Sequence, residues 1–371
     1  MPKYKFADLV YNITEKRLPV AGDEVFYIGL EHLDSGKLKV TRWGSKVAIK
    51  GEKLAMKKGD ILFGRRNTYL RRVAIAPHDG IFSAHGMIFR PKKEVINEDF
   101  FPFFIASDYF MDEAIRISVG SLSPTVNWGE LKELEFEIPS LEKQKELAKI
   151  LVAANQTKEN YEELLLKTDE LVKSQFIEMF GDPILNTMNW DTKSIKEVAP
   201  EYTPSVPQQE KYWWLNLDMI ESFSGNIIEK IIVPFNKIGS STSAFDDTMV
   251  LYSKLRPYLN KVTIPTEYGY ATTELVGLRP KIDIMRKEFL FSLLRGDEFV
   301  TYANNVSGGS QMPRMPMKNL REFQCILPPI DLQDKYIDFV RQTDKSKFEL
   351  KKAIENINVL IKSLMQKDYN N

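Results

Sequence analysis

Apolar residues follow two different periods along the chain, and each pattern occurs twice. Short apolar runs between turns, such as "GDILFG", "RVAIA" and "MIFRP", predict β-strands, and "MVLYSKL", "KVTIP" and "LVGLRP" predict them again further along. Each set is followed by a stretch of helical period, "EDFFPFFIASDYFMDEAIR" or "KEFLFSLLRGDEFVTYA". Each set therefore predicts a domain of mixed α and β structure.

Two segments, residues 142–179 and 331–368, contain neither proline nor glycine and predict long helices. Each carries an apolar stripe at alternating spacings of three and four, which is typical of a coiled-coil seam on a helix of about 57 Å. A helix lying on its own domain's core is the alternative. The predicted seam residues are Leu151, Tyr161, Leu165, Val172, Val340, Leu350, Ile354, Ile357 and Ile361.

The chain is a tandem duplication. "YLRRV" at residues 69–73 matches "YLNKV" at 258–262, a shift of 258 − 69 = 189 residues. Identity at one offset over such a distance indicates a repeated unit of about 190 residues. The same shift superimposes Arg90 on Arg279, Asp108 on Asp297, Gly120 on Gly309, Pro124 on Pro313, Pro139 on Pro328, and Gln144 on Gln333.

The repeat predicts an α+β protein of two globular domains and two long helices. We place the first domain at residues 1–140, a central spacer helix at 141–186, the second domain at 187–329 and a C-terminal spacer helix at 330–371. Two equal helices separated by a domain most simply bury their stripes on each other. If they run antiparallel, the domains lie at opposite ends of a pseudo-two-fold dumbbell.

Composition agrees with a chain of more than one domain. It has 371 residues, 43% of them hydrophobic, which suffices for two or three cores. Cys325 is the one cysteine, so no internal disulfide forms, as expected in a reducing compartment. No signal peptide and no apolar run of about 18 residues is present. We therefore expect a cytoplasmic protein without a membrane span.

Basic and acidic residues are separated along the first domain, although the net charge of the chain is zero. Residues 37–93 hold 15 Lys and Arg against three acidic residues, and residues 94–140 hold two basic and ten acidic residues. Such separation favours a basic face where a polyanion could bind. A solvated charged face is the alternative.

Catalytic motifs are missing. There is no GxxxxGK[ST] phosphate loop, no GxGxxG and no HExxH, and His32, His78 and His85 lack metal-ligand spacing. None of these histidines has a histidine at the equivalent position of the other copy. We expect no catalytic residue, no metal and no cofactor, although an enzyme with one site in one copy stays open.

A basic turn is present in both copies, as "FGRRNTYLRR" and "YSKLRPYLNK". Arginine and lysine pair with phosphates or with guanine, and asparagine pairs with adenine. A surface hairpin with its arginines paired to the acidic segment 94–140 is the alternative. The candidate DNA-binding residues of the turns are Arg65, Arg66, Asn67, Arg71, Arg72, Lys254, Arg256 and Lys261.

A second matched loop, "GSLSPTVN" and "GGSQMPRM", is interpreted as a structural crossover into the final strand of each domain, with a contact loop as the alternative. Because the second domain is less basic, its DNA contacts could lie elsewhere, and Arg314 in this loop is added to the candidates.

The succession of "GDILFGRR", "GSLSPTVNWGELKELEFEIPSLEKQKELAKIL" and a long helix ending in "KSQFIEMFGDP", with the arrangement repeated, resembles the DNA-specificity subunit of type I restriction-modification systems. The resemblance covers essentially the whole chain. Its most specific element is the strand-to-helix junction "IPSLEKQKELAKIL", which recurs as "LPPIDLQDKYIDFV".

The resemblance implies two target recognition domains, each reading one half of a bipartite, asymmetric double-stranded DNA sequence. It also implies a non-catalytic chain whose antiparallel helices set the spacing and carry two DNA adenine methyltransferase subunits. Nuclease subunits that translocate DNA could join them. S-adenosylmethionine, ATP and Mg would be used by those partners. The rival hypothesis is a protein-binding scaffold without DNA specificity.

Overall fold

The computed structural model describes residues 1–309 and 311–367. The chain forms two compact units. The first consists of residues 1–163 together with the residues from 350 onward, and the second consists of residues 164–349. Each long helix contributes residues to both units. The last residues of the predicted C-terminal helix, 368–371, lie outside the described part of the chain, as does Ser310 in the second matched loop.

The first unit is built on two four-stranded sheets and one two-stranded sheet, with strand orders β2-β9-β6-β7, β3-β5-β8-β4 and β1-β10. All neighbours are antiparallel except β4 and β8. The strands are β1 (Lys3–Lys5), β2 (Val10–Ile13), β3 (Lys16–Arg17), β4 (Tyr27–Ile28), β5 (Lys53–Met56), β6 (Ile61–Phe63), β7 (Val73–Ile75), β8 (Gly80–Phe82), β9 (Met87–Pro91) and β10 (Glu135–Glu137).

The helices of this unit pack on the β2-β9-β6-β7 sheet around an aromatic core. Phe6, Phe89, Phe110 and Phe136 are fully buried there, with the Phe6 and Phe89 ring centroids 5.2 Å apart. The helices are α1 (Phe6–Leu9), α2 (Phe101–Ala106), α3 (Asp108–Arg116) and α4 (Trp128–Leu131), and the long α5 (Leu141–Phe180) begins in this unit.

One stretch predicted to be helical is two helices with a break at Ser107. The backbone of Ser107 is extended, at φ −67° and ψ 154°, and its Oγ accepts a hydrogen bond from the Phe110 N–H at 3.3 Å. Serine favours this N-cap geometry because its hydroxyl satisfies a free N–H of the first turn. The break places Asp108 at the first position of α3.

The second unit repeats this plan with strand orders β16-β15-β18, β13-β12-β17-β14 and β11-β19. The β12 and β17 pair is parallel, like β4 and β8. The strands are β11 (Thr192–Ser194), β12 (Lys211–Leu215), β13 (Ile231–Pro234), β14 (Thr242–Phe245), β15 (Val250–Ser253), β16 (Val262–Thr263), β17 (Gly269–Thr272), β18 (Leu275–Leu278) and β19 (Gln324–Ile326).

The helices of the second unit pack around a core that includes Phe289, Leu293 and Phe299. Gly296 separates α7 from α8 at the place where Ser107 separates α2 from α3. The helices are α6 (Ile195–Val198), α7 (Lys287–Arg295), α8 (Asp297–Val306), α9 (Met317–Glu322) and the long α10 (Ile330–Lys367).

The long helices pack on each other within each unit. In the first unit, Leu151 near the start of α5 shares a core with Ile361 and Met365 near the end of α10. In the second unit, Phe176 at the end of α5 lies 5.5 Å from Tyr336 at the start of α10, measured between ring centroids. In the second unit Lys347 Nζ also lies 2.6 Å from a carboxylate oxygen of Asp169, so contacts that advance along α5 go back along α10, and the two helical segments run in opposite directions there.

A buried glutamine fastens the start of each long helix to its domain. Gln144 is fully buried, and its Nε2 donates to the carbonyl oxygens of Val95 and Pro139 at 3.1 and 2.8 Å. Gln333 is equally buried and donates in the same way to Ile284 and Pro328. The glutamine of the quoted junction motif therefore has a structural role in both copies.

Candidate nucleic-acid interface

The first basic turn, residues 65–72, joins β6 to β7 and is called the first tip turn. It consists of one 3₁₀ turn, Thr68–Leu70, between two residues in the left-handed region, Asn67 at φ 54° and Arg71 at φ 50°. Asparagine enters this region readily, whereas an arginine there is strained. The surrounding structure therefore has to hold Arg71 in place.

The second tip turn, residues 254–261, joins β15 to β16 and has the same backbone. Its 3₁₀ turn is Pro257–Leu259, and the flanking left-handed residues are Arg256 at φ 50° and Asn260 at φ 47°. The order of asparagine and arginine is thus reversed between the two copies. One turn geometry presents different side chains at equivalent places.

The second matched loop, 120–127 in the first copy and 308–315 in the second, supports the tip turn and is called the support loop. The Asn67 N–H donates to the carbonyl of Pro124 at 2.7 Å, and the Val126 N–H donates to the carbonyl of Arg65 at 2.9 Å. The Arg256 N–H donates likewise to Pro313 at 2.7 Å. The loop was interpreted as a crossover into the final strand, but α4 or α9 lies between the loop and that strand.

Five of the candidate cations form no salt bridge to a carboxylate among the described residues, although Asp34, whose pKa is lowered mainly by its hydrogen bonds to Arg42, also feels the charge of Arg72. They belong to the two tip turns themselves, and Arg66 Nη2 donates to a neutral group, the Ser123 Oγ, at 3.2 Å. A cation without an internal counter-ion can neutralise a phosphate without first breaking an ion pair. The five are Arg65, Arg66, Arg72, Lys254 and Arg256.

The other three candidate cations are occupied within the protein. The Arg71 guanidinium binds Asp108 at 2.7 Å and also contacts Asp112. Lys261 Nζ donates to the carbonyl of Leu217 at 2.6 Å. Arg314 Nη2 lies 3.1 Å from a carboxylate oxygen of Glu274. Pairing with the acidic segment 94–140, the alternative considered for all the arginines of the first tip turn, therefore applies to Arg71.

Asp108 connects the first tip turn to the C-terminal helix. Its second carboxylate oxygen lies 2.7 Å from Lys362 Nζ. The bond to Lys362, and then the charges of Lys362 and Arg71, hold the pKa of Asp108 below its ordinary value, so the carboxylate is ionised at neutral pH. The equivalent Asp297 bonds Lys173 of α5 at 2.8 Å. In the described part of the chain, its carboxylate makes no hydrogen bond or ion pair to the second tip turn.

Each tip turn holds buried polar side-chain atoms that lack a hydrogen-bond partner among the described residues. In the first turn these are Arg65 Nε and Asn67 Oδ1, and in the second they are Arg256 Nε and Asn260 Oδ1. Unpaired buried polar groups are rare in folded proteins, and each calls for a physical explanation. Both turns thus carry one spare donor and one spare acceptor.

A tyrosine stands in the middle of each tip turn. The exposed fractions of Tyr69 and Tyr258 are 56% and 45%. Each ring is thus about half exposed to solvent. The sequence does carry a signal for them, because a tyrosine occurs at the same position of both turns while most other residues of the turns differ. An exposed aromatic ring beside unpaired cations can pack on a base or a sugar.

The adjacent tryptophans of "YWWLN", residues 212–216, lie on β12. Trp213 is buried in the second core of its unit, and Trp214 is half-buried. In the described residues there is no cluster of three or more His, Cys, Asp or Glu side chains that could bind a metal. No helix in that part of the chain combines the length and apolarity of a membrane span.

All the predicted seam residues are at least partly buried. Leu151 is fully buried, and the other eight are half-buried. Leu151 and Ile361 belong to the core of the first unit or pack against it. Val172 and Val340 pack against the core of the second unit. The half-buried residues are Tyr161, Leu165, Val172, Val340, Leu350, Ile354, Ile357 and Ile361.

Comparison with known families decides the family question. The sequence model described as the type I restriction modification DNA specificity domain matches residues 18–166 and again residues 188–359. The chain belongs to the type I restriction-modification specificity subunit family. The two matched stretches fall on the two copies of the repeat, so the family domain is present in tandem.

Two specificity subunits illustrate the relationship. The chain is similar to the type I restriction enzyme EcoDI specificity subunit of Escherichia coli, with 22% identity over 301 residues, 67% of this chain and 65% of that one. It is also similar to the putative type I restriction enzyme MjaX specificity subunit of Methanocaldococcus jannaschii. The two are 22% identical over an alignment that covers 88% of this chain and 84% of that one. The match therefore spans just under two thirds of the E. coli subunit.

Solved structures share the fold of this specificity-subunit family member. A chain from work on complex assembly and conformational transition of the type I R-M system superimposes with a TM-score of 0.60 at 16% identity, covering 99% of this chain and 97% of that one. The S subunit of a type I restriction-modification system from M. genitalium superimposes with a TM-score of 0.59 at 12% identity. The superposition covers 100% of this chain and 96% of that one. The expected α+β fold with tandem domains is thereby confirmed.

Proposed function

We propose that the chain reads a bipartite double-stranded DNA sequence, with one half-site for each copy of the repeat. The observation that carries this proposal is the pair of tip turns, which share a backbone but exchange an asparagine and an arginine. Asparagine pairs with adenine and arginine with guanine in the major groove. Two such turns on one scaffold suit the reading of two different short sequences.

The first reader corresponds to residues 1–140 and the second to residues 187–329. Around the turns, Arg65, Arg66, Arg72, Lys254 and Arg256 supply the unpaired positive charge for phosphates or guanines. Asn67 supplies an unpaired amide oxygen beside its two amide hydrogens. Lys261 and Arg314 are further candidates that would have to exchange an internal partner for DNA. Arg71 belongs to the same turn but already bonds Asp108 and Asp112.

The long helices, residues 141–186 and 330–371 with their seam, recruit and space the partner subunits in this proposal. Two DNA adenine methyltransferase subunits would bind through them, and nuclease or translocase subunits could join the assembly. The chain itself would carry no catalytic group, and S-adenosylmethionine, ATP and Mg would serve the partners. The family relationship supports this division of labour.

Selection from a randomised duplex DNA library tests the proposal. The purified full chain is used with and without its methyltransferase partner. Two short enriched blocks separated by a fixed degenerate spacer are expected. Exchanging residues 1–140 or 187–329 for those of a different specificity subunit should then change one block at a time. No enrichment in either condition, with the partner shown to be bound, would favour the protein-binding scaffold instead.

A further inference from the structure

The last left-handed residue of each tip turn is anchored to the helices behind it by different chemistry. In the first turn this residue is Arg71, and in the second it is Asn260. Both close the same 3₁₀ turn, since the N–H of each donates to the carbonyl three residues earlier at 2.8 Å. The two tip turns can therefore be compared directly, because their backbones are the same and the anchoring side chains differ.

The anchor of the first turn is ionic and partly exposed to solvent. Arg71 Nη1 bonds Asp108, and Nη2 bonds Asp112 one helical turn further along α3. The Arg71 side chain is 34% exposed and the Asp112 side chain is 66% exposed. Lys362 completes a chain of charges from the turn through Asp108 to α10. Ionic strength can screen contacts of this kind.

The anchor of the second turn is neutral and buried. Asn260 is 4% exposed, and its Nδ2 donates to the carbonyl of Arg295 at 2.8 Å. The main-chain carbonyl oxygen of Asn260 accepts a hydrogen bond from the Phe223 N–H at 3.2 Å. Arg295 in turn donates to the Phe223 carbonyl and lies over the Phe291 ring at 4.6 Å. Salt has little effect on the bond from the Asn260 side chain to Arg295, because that side chain is buried and uncharged.

We propose that Arg71 is a positioning residue, which holds the first tip turn in its reading geometry through Asp108 and Asp112 and does not itself contact DNA. This inference rests on the proposed function. Both terminal nitrogens of its guanidinium already bond carboxylates. A phosphate arriving at Arg71 would also meet the negative charges of Asp108 and Asp112, which oppose it. The first half-site is therefore read by a turn with an ionic anchor, and the second by a turn with a neutral anchor.

The variants Arg71→Asn and Asp108→Asn separate positioning from direct contact. The probe is the duplex enriched in the library selection, compared with duplexes that carry one changed base pair in either block. If Arg71 positions the turn, each variant lowers the discrimination between the enriched and the changed base pair in one block by about two- to fivefold. This is the effect expected from the loss of a partly exposed ion pair. The double variant should be no worse than the single variants, because both remove the same anchor.

Salt provides a second readout. Discrimination in the block read by the first turn should fall as salt rises, while discrimination in the other block should hold. The slope of log affinity against log salt should be the same for the wild type and Arg71→Asn. If Arg71 instead neutralised a phosphate, its replacement would lower the magnitude of the slope by about 0.9.

Asp297→Asn is the matched control. It removes the equivalent carboxylate and its bond to Lys173, a residue of α5 outside the second tip turn. The loss of the Asp297–Lys173 bond should lower thermal stability about as much as the loss of the Asp108–Lys362 bond does in Asp108→Asn. Base discrimination in both blocks should stay unchanged. Asp112→Asn removes the other carboxylate that bonds Arg71. Because Asp112 is largely exposed, this variant can replace Asp108→Asn in the test if Asp108→Asn does not fold.

Tighter DNA binding by Asp108→Asn would overturn the inference, because a freed guanidinium would then be reaching DNA. A smaller salt slope for Arg71→Asn, or unchanged discrimination in all the first-unit variants, would also overturn it. A wild-type chain that prefers no sequence would remove the proposed function itself, and that result is obtained before any variant is compared.

Discussion

Gln144 donates a hydrogen bond to the carbonyl oxygen of Pro139, five residues earlier, from a side chain with no exposed surface. Its side-chain carbonyl oxygen also accepts from the Asn97 N–H at 2.7 Å. One amide thus ties the last residues before α5 to the segment that precedes α2. Because helix starts leave backbone groups free, a buried side chain that satisfies neighbouring groups fixes the direction in which the helix leaves the domain.

We predict that Gln144→Leu lowers the free energy of unfolding by about 3 kcal/mol. The substitution leaves one buried N–H and two carbonyl groups without their partner, and each such group is costly. Urea unfolding followed by circular dichroism measures the change. The control is Gln156→Leu on the exposed face of the same helix, where the expected change is within about 0.5 kcal/mol. Equal effects of the two variants would contradict the role given to Gln144.

We predict that the double variant Arg65→Ala with Arg66→Ala weakens DNA binding and lowers the magnitude of the salt slope by up to about 1.8, or 0.9 for each phosphate contact. If either arginine bonds a guanine through two hydrogen bonds, discrimination at that base falls by about 1 to 3 kcal/mol. Fluorescence anisotropy at several salt concentrations measures both quantities.

The control for those arginines is Lys93→Ala with Lys132→Ala, which removes the same net charge from exposed residues of the same unit. It should change the slope much less. Unchanged affinity and unchanged base preference in the arginine variant would return Arg65 and Arg66 to the role of a solvated turn.

We predict that Tyr69→Ala weakens binding to all duplexes by a similar factor, corresponding to about 1 kcal/mol, without changing base preference. The reason is that the same tyrosine occurs in both turns, so its contact serves two different sequences. Tyr69→Phe should bind nearly as the wild type does if the ring makes the contact. Tyr11→Ala, another exposed tyrosine of this unit, is the control. A changed base preference in Tyr69→Ala would show that the ring reads sequence.

We predict that Ile354→Asp destabilises the first unit by about 2 kcal/mol and releases the methyltransferase partner. Ile354 is half-buried in the predicted seam, where a carboxylate loses hydration without gaining a counter-ion. Thermal unfolding and co-purification measure the two effects. Val359→Asp is the control, because Val359 is 63% exposed on the same helix. A stable and fully assembled Ile354→Asp variant would contradict the seam.

The sequence was sufficient for features set by period and by repetition. The long helices follow from segments free of proline and glycine, and the duplication follows from one constant offset, so α5 and α10 could be located within a few residues. The break at Ser107 was missed because the apolar residues on both sides keep a helical period. A single capping side chain starts α3 there, which periodicity does not register.

The candidate site was predictable as a location and less so as a set of roles. Counting arginines identified the first tip turn, but the separation of Arg71 from Arg65, Arg66 and Arg72 depends on carboxylates 37 and 41 residues away in sequence. The two exposed tyrosines and the left-handed residues at 67, 71, 256 and 260 also depend on backbone geometry. Charge counts carry no such information.

The support loops hold the tip turns through main-chain atoms. Asn67 and Arg256 are held by the same bond to a proline carbonyl, although one side chain is an amide and the other a guanidinium. Main-chain bonds of this kind are made by any residue that retains an N–H. Under the proposed function, the side chain at the tip can therefore change without loss of this bond, provided that the new residue accepts the left-handed backbone. If the turns read DNA as proposed, a target sequence would change most easily through residues that tolerate a positive φ at positions 67 and 256.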